Sequence, residues 1–580
     1  MTDKATTSFM RSLCMGRIEQ DVLFPFPSLS VEQKDTLHEI SNALGDLLGS
    51  RADEFRQWDE VGDMPTEFIE ELRQFGLFGL IIPEEHGGLG LGNMAYSRTL
   101  QEVGRYDASV AVTIGAHSSI GMRGLLLFGT DEQKKRYMPQ LATGEMIAAF
   151  CLTEPGAGSD AAAIKTTAVL EGDHWVLNGS KLWITNGGIA DFFTVFARTD
   201  TPDRKGKMSA FMVTRDMEGV SIGPHEDKMG LRASSTTTVN LDQVRVPAEN
   251  LLGEPGKGFK VAMQILNSGR TGLGGGSVGG MKRLIGLATK QANERKTFGQ
   301  PIASYGLIKE KIGRMVIDCY TAEATVTMVG GLIDAGYDEY AVEAAISKVY
   351  ATECLSRTAD EALQIAGGNG FMREYPYERI VRDSRINRIF EGTNEILRLF
   401  IALTAMNDVS SQLKELASKM KGVLNDPIKG FGVLSDYARK HARLRTGLGD
   451  SNKLRKIDES IRRQADLFEG ETRLLAQATD RILRKHGKNI VGKQFATKRL
   501  AEIMIDLFVM ACTLSRVQAS IEANGVEKCK REIDILKVFT RDARSRIKGN
   551  FRRIDNNYDS RLKALATDAC EAERFRWDTI

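Results

Sequence analysis

The chain has 580 residues, 42% of them hydrophobic, enough to bury several cores, and its length suggests three or four domains. Its 78 Lys and Arg nearly balance its 76 Asp and Glu, for a formal charge of +2, so no overall field draws it to nucleic acid or to membrane. The seven scattered cysteines form no CxxC pair and no metal-ligand spacing, and read as reduced thiols in a cytosol-like compartment. The first twenty residues lack the continuous apolar region of a secretory signal, and no apolar run reaches membrane-spanning length.

Taken in order, residues 1–30 are an arm ending in FPFPSLS. Residues 31–148 alternate helical spacing with glycine-rich turns such as PEEHGGLGLGN and predict an α-helical domain. From 149 to 255 the texture turns to β-branched and aromatic alternation, as in HWVLNGSKLWITNG and DFFTVFAR, which predicts an antiparallel β-domain. Long helical patterns return over 256–405 and suggest a bundle. Residues 406–580 are helical, heavily charged and poor in glycine, consistent with an added helical domain.

One carboxylate stands out. Glu391 lies in IFEGTNEI, on a short link between two apolar helical patterns, and Gly392 beside it permits a tight turn. A desolvated Glu has its pKa pushed up and becomes a competent base toward an acidic C–H. The alternative is a Glu that caps the following helix.

Other segments add to this. FCLTEPGAGSD, residues 150–160, is an apolar strand followed by a loop whose backbone N–H groups suit an anion or a ring edge, or is an ordinary hairpin loop. Its match to a dinucleotide fingerprint fails because strand, not a long helix, follows. The string GRTGLGGGSVGG lacks a following Gly-Lys-Ser/Thr and reads as a tightly packed helix start. In Trp183-Ile184-Thr185 an aromatic and a hydroxyl project from the same strand face, a wall for a flat ring or a plain half-buried strand. Arg295 and Phe298 fall at a helix end, where Arg suits a pyrophosphate or simply complements a surface helix C-terminus, and Gln364 to Phe371 ends another helix at Gly367 and Gly368, an ordinary C-cap that also admits a close ligand. His117 and His225 receive no role.

In this order, FCLTEPGAGSD, LWITNGG, NERKTFG, QIAGGNGF and RIFEGTNEI resemble the acyl-CoA dehydrogenase family over residues 30–405. The arm, the GAHSSIGMRGLLLFGT segment and the C-terminal extension look most like its very-long-chain branch, which includes a complex I assembly factor. The fold implied is mainly α with a central β-domain: an N-terminal helical domain, an antiparallel β-domain and a four-helix bundle, plus a C-terminal helical domain.

The resemblance implies FAD as cofactor, a long- or very-long-chain acyl-CoA substrate, and α,β-dehydrogenation to a trans-2-enoyl-CoA in fatty acid β-oxidation. Glu391 would take the α-proton and the flavin the β-hydride. Phe150, Leu152, Thr153, Trp183, Ile184 and Thr185 would border the flavin, with Gly158 and Ser159 near pyrophosphate or CoA. Arg295, Phe298, Gln364, Gly367 and Gly368 would reach the FAD of a neighbouring subunit, which implies a homodimer, with a tetramer as the alternative. Thr393 and Glu395 would contact the adenine half of FAD. Asn267, Arg270, Phe390 and Gly392 would flank the thioester. Isovaleryl-type members carry the base just before the Arg that matches Arg270, and here that position is Gly269, which leaves Glu391.

Ala111, Gly115 and Ser119 recur at i, i+4 and i+8, a cleared helix stripe that admits a longer acyl chain or permits close helix packing. Basic residues Arg439, Lys440, Arg443, Arg445, Lys453, Arg455, Lys456, Arg462 and Arg463 read as a surface for anionic lipid or as a solvated face. The protein is expected in the cytoplasm, or peripheral to the inner face of the membrane, with electron-transferring flavoprotein as acceptor. An oxygen-using acyl-CoA oxidase and a non-catalytic scaffold on the same fold remain as alternatives.

Overall fold

The computed structural model describes residues 8–201, 204–414 and 453–579. Contacts divide the chain into two units, one of Pro27–Ile396 and one of Ala5–Phe26 with Leu397–Ile580.

The first unit begins with helices. Val31–Leu48 starts at a capping box in which the Ser30 hydroxyl accepts the Gln33 N–H at 3.1 Å and the Gln33 side chain accepts the Ser30 N–H at 3.0 Å. Asn93–Tyr106 leads directly into Ala108–Gly115, whose first turn is capped by the Asp107 carboxylate, accepting from Ser109 and Val110 at 2.8 and 3.1 Å. A π-helical turn, Ala116–Gly121, continues it, a departure from α geometry that is frequent at functional sites. His117 lies in that turn, fully buried, with Nδ1 accepting the Ala148 N–H at 2.9 Å and Nε2 donating to the Leu141 carbonyl at 3.1 Å. Burial pushes its pKa down to about 4, so a neutral imidazole ties the helices to the first strand.

Eight strands form one sheet: β1 (Ala148–Cys151), β2 (Thr167–Glu171), β3 (His174–Thr185), β4 (Phe192–Thr201), β5 (Arg204–Thr214), β6 (Val220–His225), β7 (Thr236–Pro247) and β8 (Leu251–Leu252). The order is β6-β7-β3-β2-β4-β5-β8, with β1 beside β4. Pairing is antiparallel as expected, except that β1 runs parallel to β4 and β2 meets β4 at one parallel pair. Those strands are not joined by tight turns, so nothing forces them antiparallel. Side chains alternate between two cores: Phe192, Phe196 and Met212 join the apolar cluster of the preceding helices, while Phe193, Phe211 and Val213 fill the opposite face.

Three long helices follow, Gly258–Glu294, Gly306–Asp334 and Ala341–Ala366, then Tyr377–Arg385 and Asn394–Ala405. The first is a single 37-residue helix, so GRTGLGGGSVGG sits in its middle and is not a helix start. The seven glycines of that string cost roughly 6 kcal/mol relative to alanine. Close packing offsets part of this, since a Cβ at Gly275 would stand 2.5 Å from the Ser97 carbonyl oxygen and one at Gly279 2.0 Å from that of Gln101. Against the sequence expectation, Ala108–Phe128 and Gly306–Asp334 are long and apolar enough to span a membrane; their small-residue content lowers polarity without adding bulk, and most of each apolar stretch is buried within the protein.

In the second unit, helix Gln494–Asn524 is buried along most of its length, with Arg462–His486 and Lys530–Asp555 against it. Asp506, the one acid in its most apolar stretch, pairs with Arg546 at 2.6 Å. The chain's beginning belongs here too: Phe9 packs on Phe508 with ring centroids 6.1 Å apart, Arg11 pairs with Asp408, and the Ser515 hydroxyl donates to the Leu23 carbonyl.

Candidate active site

The turn that carries Glu391 is strained. Glu391 has φ +57° and Gly392 φ +88°, so two consecutive residues occupy the left-handed region that only glycine adopts freely. Glu391 does not cap the next helix, because the Thr393 hydroxyl accepts the Ile396 N–H at 3.3 Å and takes that role. The carboxylate is turned inward instead. Its Oε2 is sealed from solvent and has no hydrogen-bond partner among the described residues. Burial pushes the Glu391 pKa up, opposed by the charges of Arg270 and Lys348.

Two cations hold this turn without quenching it. Lys348, fully buried on helix Ala341–Ala366, donates to the Gly392 carbonyl and to the Asn394 side chain, each at 2.9 Å. Burial lowers its pKa to about 7. Arg270 reaches the Glu391 carbonyl at 3.5 Å and Asn267 at 2.6 Å, and burial takes it down to about 10 while the Glu391 charge pulls it back. Sequence reading missed Lys348, although a lone cation in AAISKVYA is a visible signal.

Glu391 and Phe390 line a partly open, mainly apolar cavity, as does Thr185. Its walls come from two helices of small residues: Ala111, Gly115 and Ser119 on one side, Gly269, Gly272, Gly276 and Gly280 on the other. The glycine string therefore has two faces, one packed on Ser97 and Gln101 and one bare toward the cavity. A Cβ on Gly269 would lie 3.3 Å from Glu391 Oε2, so a longer side chain there would compete for the space the Glu391 carboxylate fills.

Around Trp183 the sheet loses register between Lys181 and Ile184, and Trp183 takes φ +57°. The bulge leaves its ring 63% exposed, whereas Ile184 is buried in the opposite core. Trp183 and Thr185 therefore do not project by simple alternation; only Thr185 lines the cavity, and Ile184 is turned away from it.

The 150–160 loop is anchored by a second buried pair that sequence reading also missed. Glu154 meets Lys181 at 2.6 Å and accepts the Thr166 N–H at 3.1 Å and its hydroxyl at 2.5 Å. Burial alone would raise the Glu154 pKa, but the Lys181, Thr166 and Lys165 hydrogen bonds outweigh it and hold the carboxyl below its usual range. Phe150 packs on Phe196 with centroids 5.1 Å apart, Leu152 is buried, and the Thr153 carbonyl accepts the Leu182 N–H at 2.9 Å. Ser159 is exposed, and a Cβ at Gly156 or Gly158 would meet nothing within 4 Å. A bare loop backbone, an uncovered indole and the Thr185 hydroxyl fit a flat group with a polar edge. Arg295, Phe298, Gln364, Gly367, Gly368 and Glu395 are all exposed, Phe298 at 97%, and none lines the cavity.

Family models for the acyl-CoA dehydrogenase N-terminal, middle and C-terminal domains match residues 35–145, 149–244 and 256–406, and the ACAD9/ACADV C-terminal domain matches 459–575. The chain belongs to the acyl-CoA dehydrogenase family. It is 43% identical over 587 residues to the human mitochondrial very long-chain specific acyl-CoA dehydrogenase, covering 98% of this chain and 86% of the relative. A probable acyl-CoA dehydrogenase of Bacillus subtilis is 38% identical over 84% of this chain and 81% of its own length. An acyl-CoA dehydrogenase from Bacillus anthracis solved with FAD superposes with a TM-score of 0.80 at 35% identity, covering 97% of this chain and 95% of that one.

Proposed function

We propose that this protein is an FAD-dependent dehydrogenase of long-chain acyl-CoA thioesters, with Glu391 as the base. The observation that carries this is the buried, unpartnered Glu391 Oε2 at the head of an apolar cavity. FAD, when bound, supplies the hydride acceptor. Trp183, Thr185 and the 150–160 loop would hold it, with Thr393 and Glu395 toward its adenine half. Glu391 removes the α-proton, and its main-chain N–H, fixed in the strained turn, meets the charge that develops on the thioester oxygen. Phe390 and Gly392 flank that oxygen, and the burial of the Glu391 carboxylate keeps the base strong.

Chain length follows from helix geometry. Gly269 beside the base and Arg283 at the far end both line the cavity, 14 residues and hence about 21 Å apart. At ~1.3 Å of advance per carbon, from C–C bonds near 1.5 Å, that spans about 16 carbons. Ala111→Gln and Gly115→Thr should shorten the preferred chain, as read by kcat/KM across an acyl series.

The same reading includes electron-transferring flavoprotein as acceptor and a homodimer in which the exposed Arg295, Phe298 and Gln364 to Gly368 meet a second copy. A peripheral seat on the inner face of the membrane would use the C-terminal unit. Of its basic residues, Lys453, Arg455, Lys456 and Arg463 are exposed, Arg462 is spent on Asp466 and Glu469, and Arg439, Lys440, Arg443 and Arg445 lie outside the described residues. Salt-sensitive co-sedimentation with anionic vesicles tests it.

Anaerobic flavin bleaching by palmitoyl-CoA but not butyryl-CoA, lost in Glu391→Gln, is the expected outcome. Bound FAD that no acyl-CoA reduces would overturn the reading.

A further inference from the structure

The far end of the cavity is charged. Beyond the glycine stripe it is lined by Asp107, Arg283, Arg379, Asp383 and Ser384, groups that an ordinary methyl-terminated chain has no use for. Their hydrogen bonds are unevenly met. Asp107 is occupied by the two N–H groups it caps and stands 3.7 Å from Arg379, while Asp383 accepts the Leu231 N–H at 2.6 Å. Arg283 donates to the main-chain carbonyls of Arg105 and Tyr106. Arg379 is only 7% exposed, and its buried Nη1 has no hydrogen-bond partner. The unmet demand at this end is therefore for an acceptor, since guanidinium nitrogens only donate. An unpaired buried donor costs about 1–3 kcal/mol, which a suitable guest would recover.

Arg283 and Arg379 are also the wall between this cavity and a second, polar pocket that contains Arg56, Arg232 and Arg382. Most acids in that pocket pair with its arginines: Asp59 and Glu378 with Arg382 at 2.8 and 2.6 Å, Asp227 with Arg232 at 2.5 Å, and Glu60 and Asp53 with Arg56 at 3.6 and 3.9 Å, while Glu374 is a further acid there. Burial and the nearby Asp107 charge lift Asp383 to about 7, so near neutrality this end carries less negative charge than its two acids suggest.

We propose that this end is a binding site for an ω-carboxylate, so that CoA monothioesters of long α,ω-dicarboxylic acids are substrates, with Arg379 the residue that receives the free carboxylate. The inference rests on the acyl-CoA reading above and adds the chemistry of the chain's far end. The depth of about 21 Å sets a length requirement. A hexadecanedioyl chain reaches Arg379, whereas a decanedioyl chain leaves its charge stranded among the glycines, where burial without a partner is costly.

The test is a kcat/KM comparison on the full-length holoenzyme with palmitoyl-CoA, hexadecanedioyl-CoA and decanedioyl-CoA. Hexadecanedioyl-CoA is expected within about threefold of palmitoyl-CoA and at least about tenfold above decanedioyl-CoA. Arg379→Met should lower the hexadecanedioyl-to-palmitoyl ratio by about 30-fold, and Arg379→Lys should restore part of it. Should Arg379→Met fail to fold, the wild-type length series alone decides. Palmitoyl-CoA turnover with hexadecanedioyl-CoA rejected more than about 100-fold would overturn the site and leave the acyl-CoA reading standing. Loss of activity on all three would remove both.

Discussion

Two buried lysines stand near two buried glutamates in this protein, and the pairs have opposite fates. Lys181 and Glu154 close on each other at 2.6 Å, and Glu154 gathers further donors from Lys165 and Thr166. Lys348 spends its donors on the Gly392 carbonyl and on Asn394, and leaves the Glu391 Oε2 without a partner. The same two residue types make a structural clamp in one place and, in the other, leave unpartnered the carboxylate proposed as the base. Hydrogen bonds supplied lower the Glu154 pKa; hydrogen bonds withheld let burial raise that of Glu391.

Four measurements can break or sharpen this contrast. Glu391→Gln should lower kcat by about 10⁴-fold with the fold intact, the upper range for loss of a general base; retention of a tenth of the activity would put the base elsewhere. Lys181→Met should cost about 3–5 kcal/mol in urea unfolding, because it strands the buried Glu154 charge, and Glu154→Gln added to it should recover part of the loss. Lys348→Met removes a charge that favours ionised Glu391. The acid limb of kcat/KM should therefore move to higher pH by about one unit, while Lys348→Arg restores it partly; an unchanged limb would reduce Lys348 to packing.

The smallest effect has a sign that separates the two sites. The folded Glu154 pKa is depressed, so its stabilisation is present above the unfolded value near 4.5 and is lost as pH falls below it. The folded Glu391 pKa is raised, so its ionisation opposes folding increasingly as pH climbs above that value. Glu391→Gln should consequently gain roughly 1 kcal/mol at neutral pH, a stability sacrificed for reactivity, whereas Glu154→Gln should lose stability there. Unfolding curves of both variants at acid and neutral pH check the pair of signs.

How much of this was legible in the sequence depends on how local the cause is. The burial of the Glu391 carboxylate could be read because its apolar flanks and Gly392 are contiguous, and the helix–sheet–helix order follows from a change of period. Lys348 could not be paired with its partners, which lie 44 and 46 residues further on. The exposure of Trp183 depends on a register slip against β7, a property of two strands and of neither alone. The glycine string carries two interleaved patterns, 269/272/276/280 toward the cavity and 275/279 toward Ser97 and Gln101, which blur into one run when read along the chain.

The clasp between the chain's beginning and the C-terminal helices has a consequence for biosynthesis. Leu23 receives its hydrogen bond from Ser515, 492 residues later. At about 5–20 residues per second, a ribosome needs roughly 25–100 s to supply that partner after Leu23 is made. Throughout that interval Phe9, Met10 and Leu13, all buried in the finished protein, have nowhere to go. The Phe9–Leu13 segment is thus among the last to fold, and the nascent chain must carry an apolar hook until Ser515, 492 residues after Leu23, has been made.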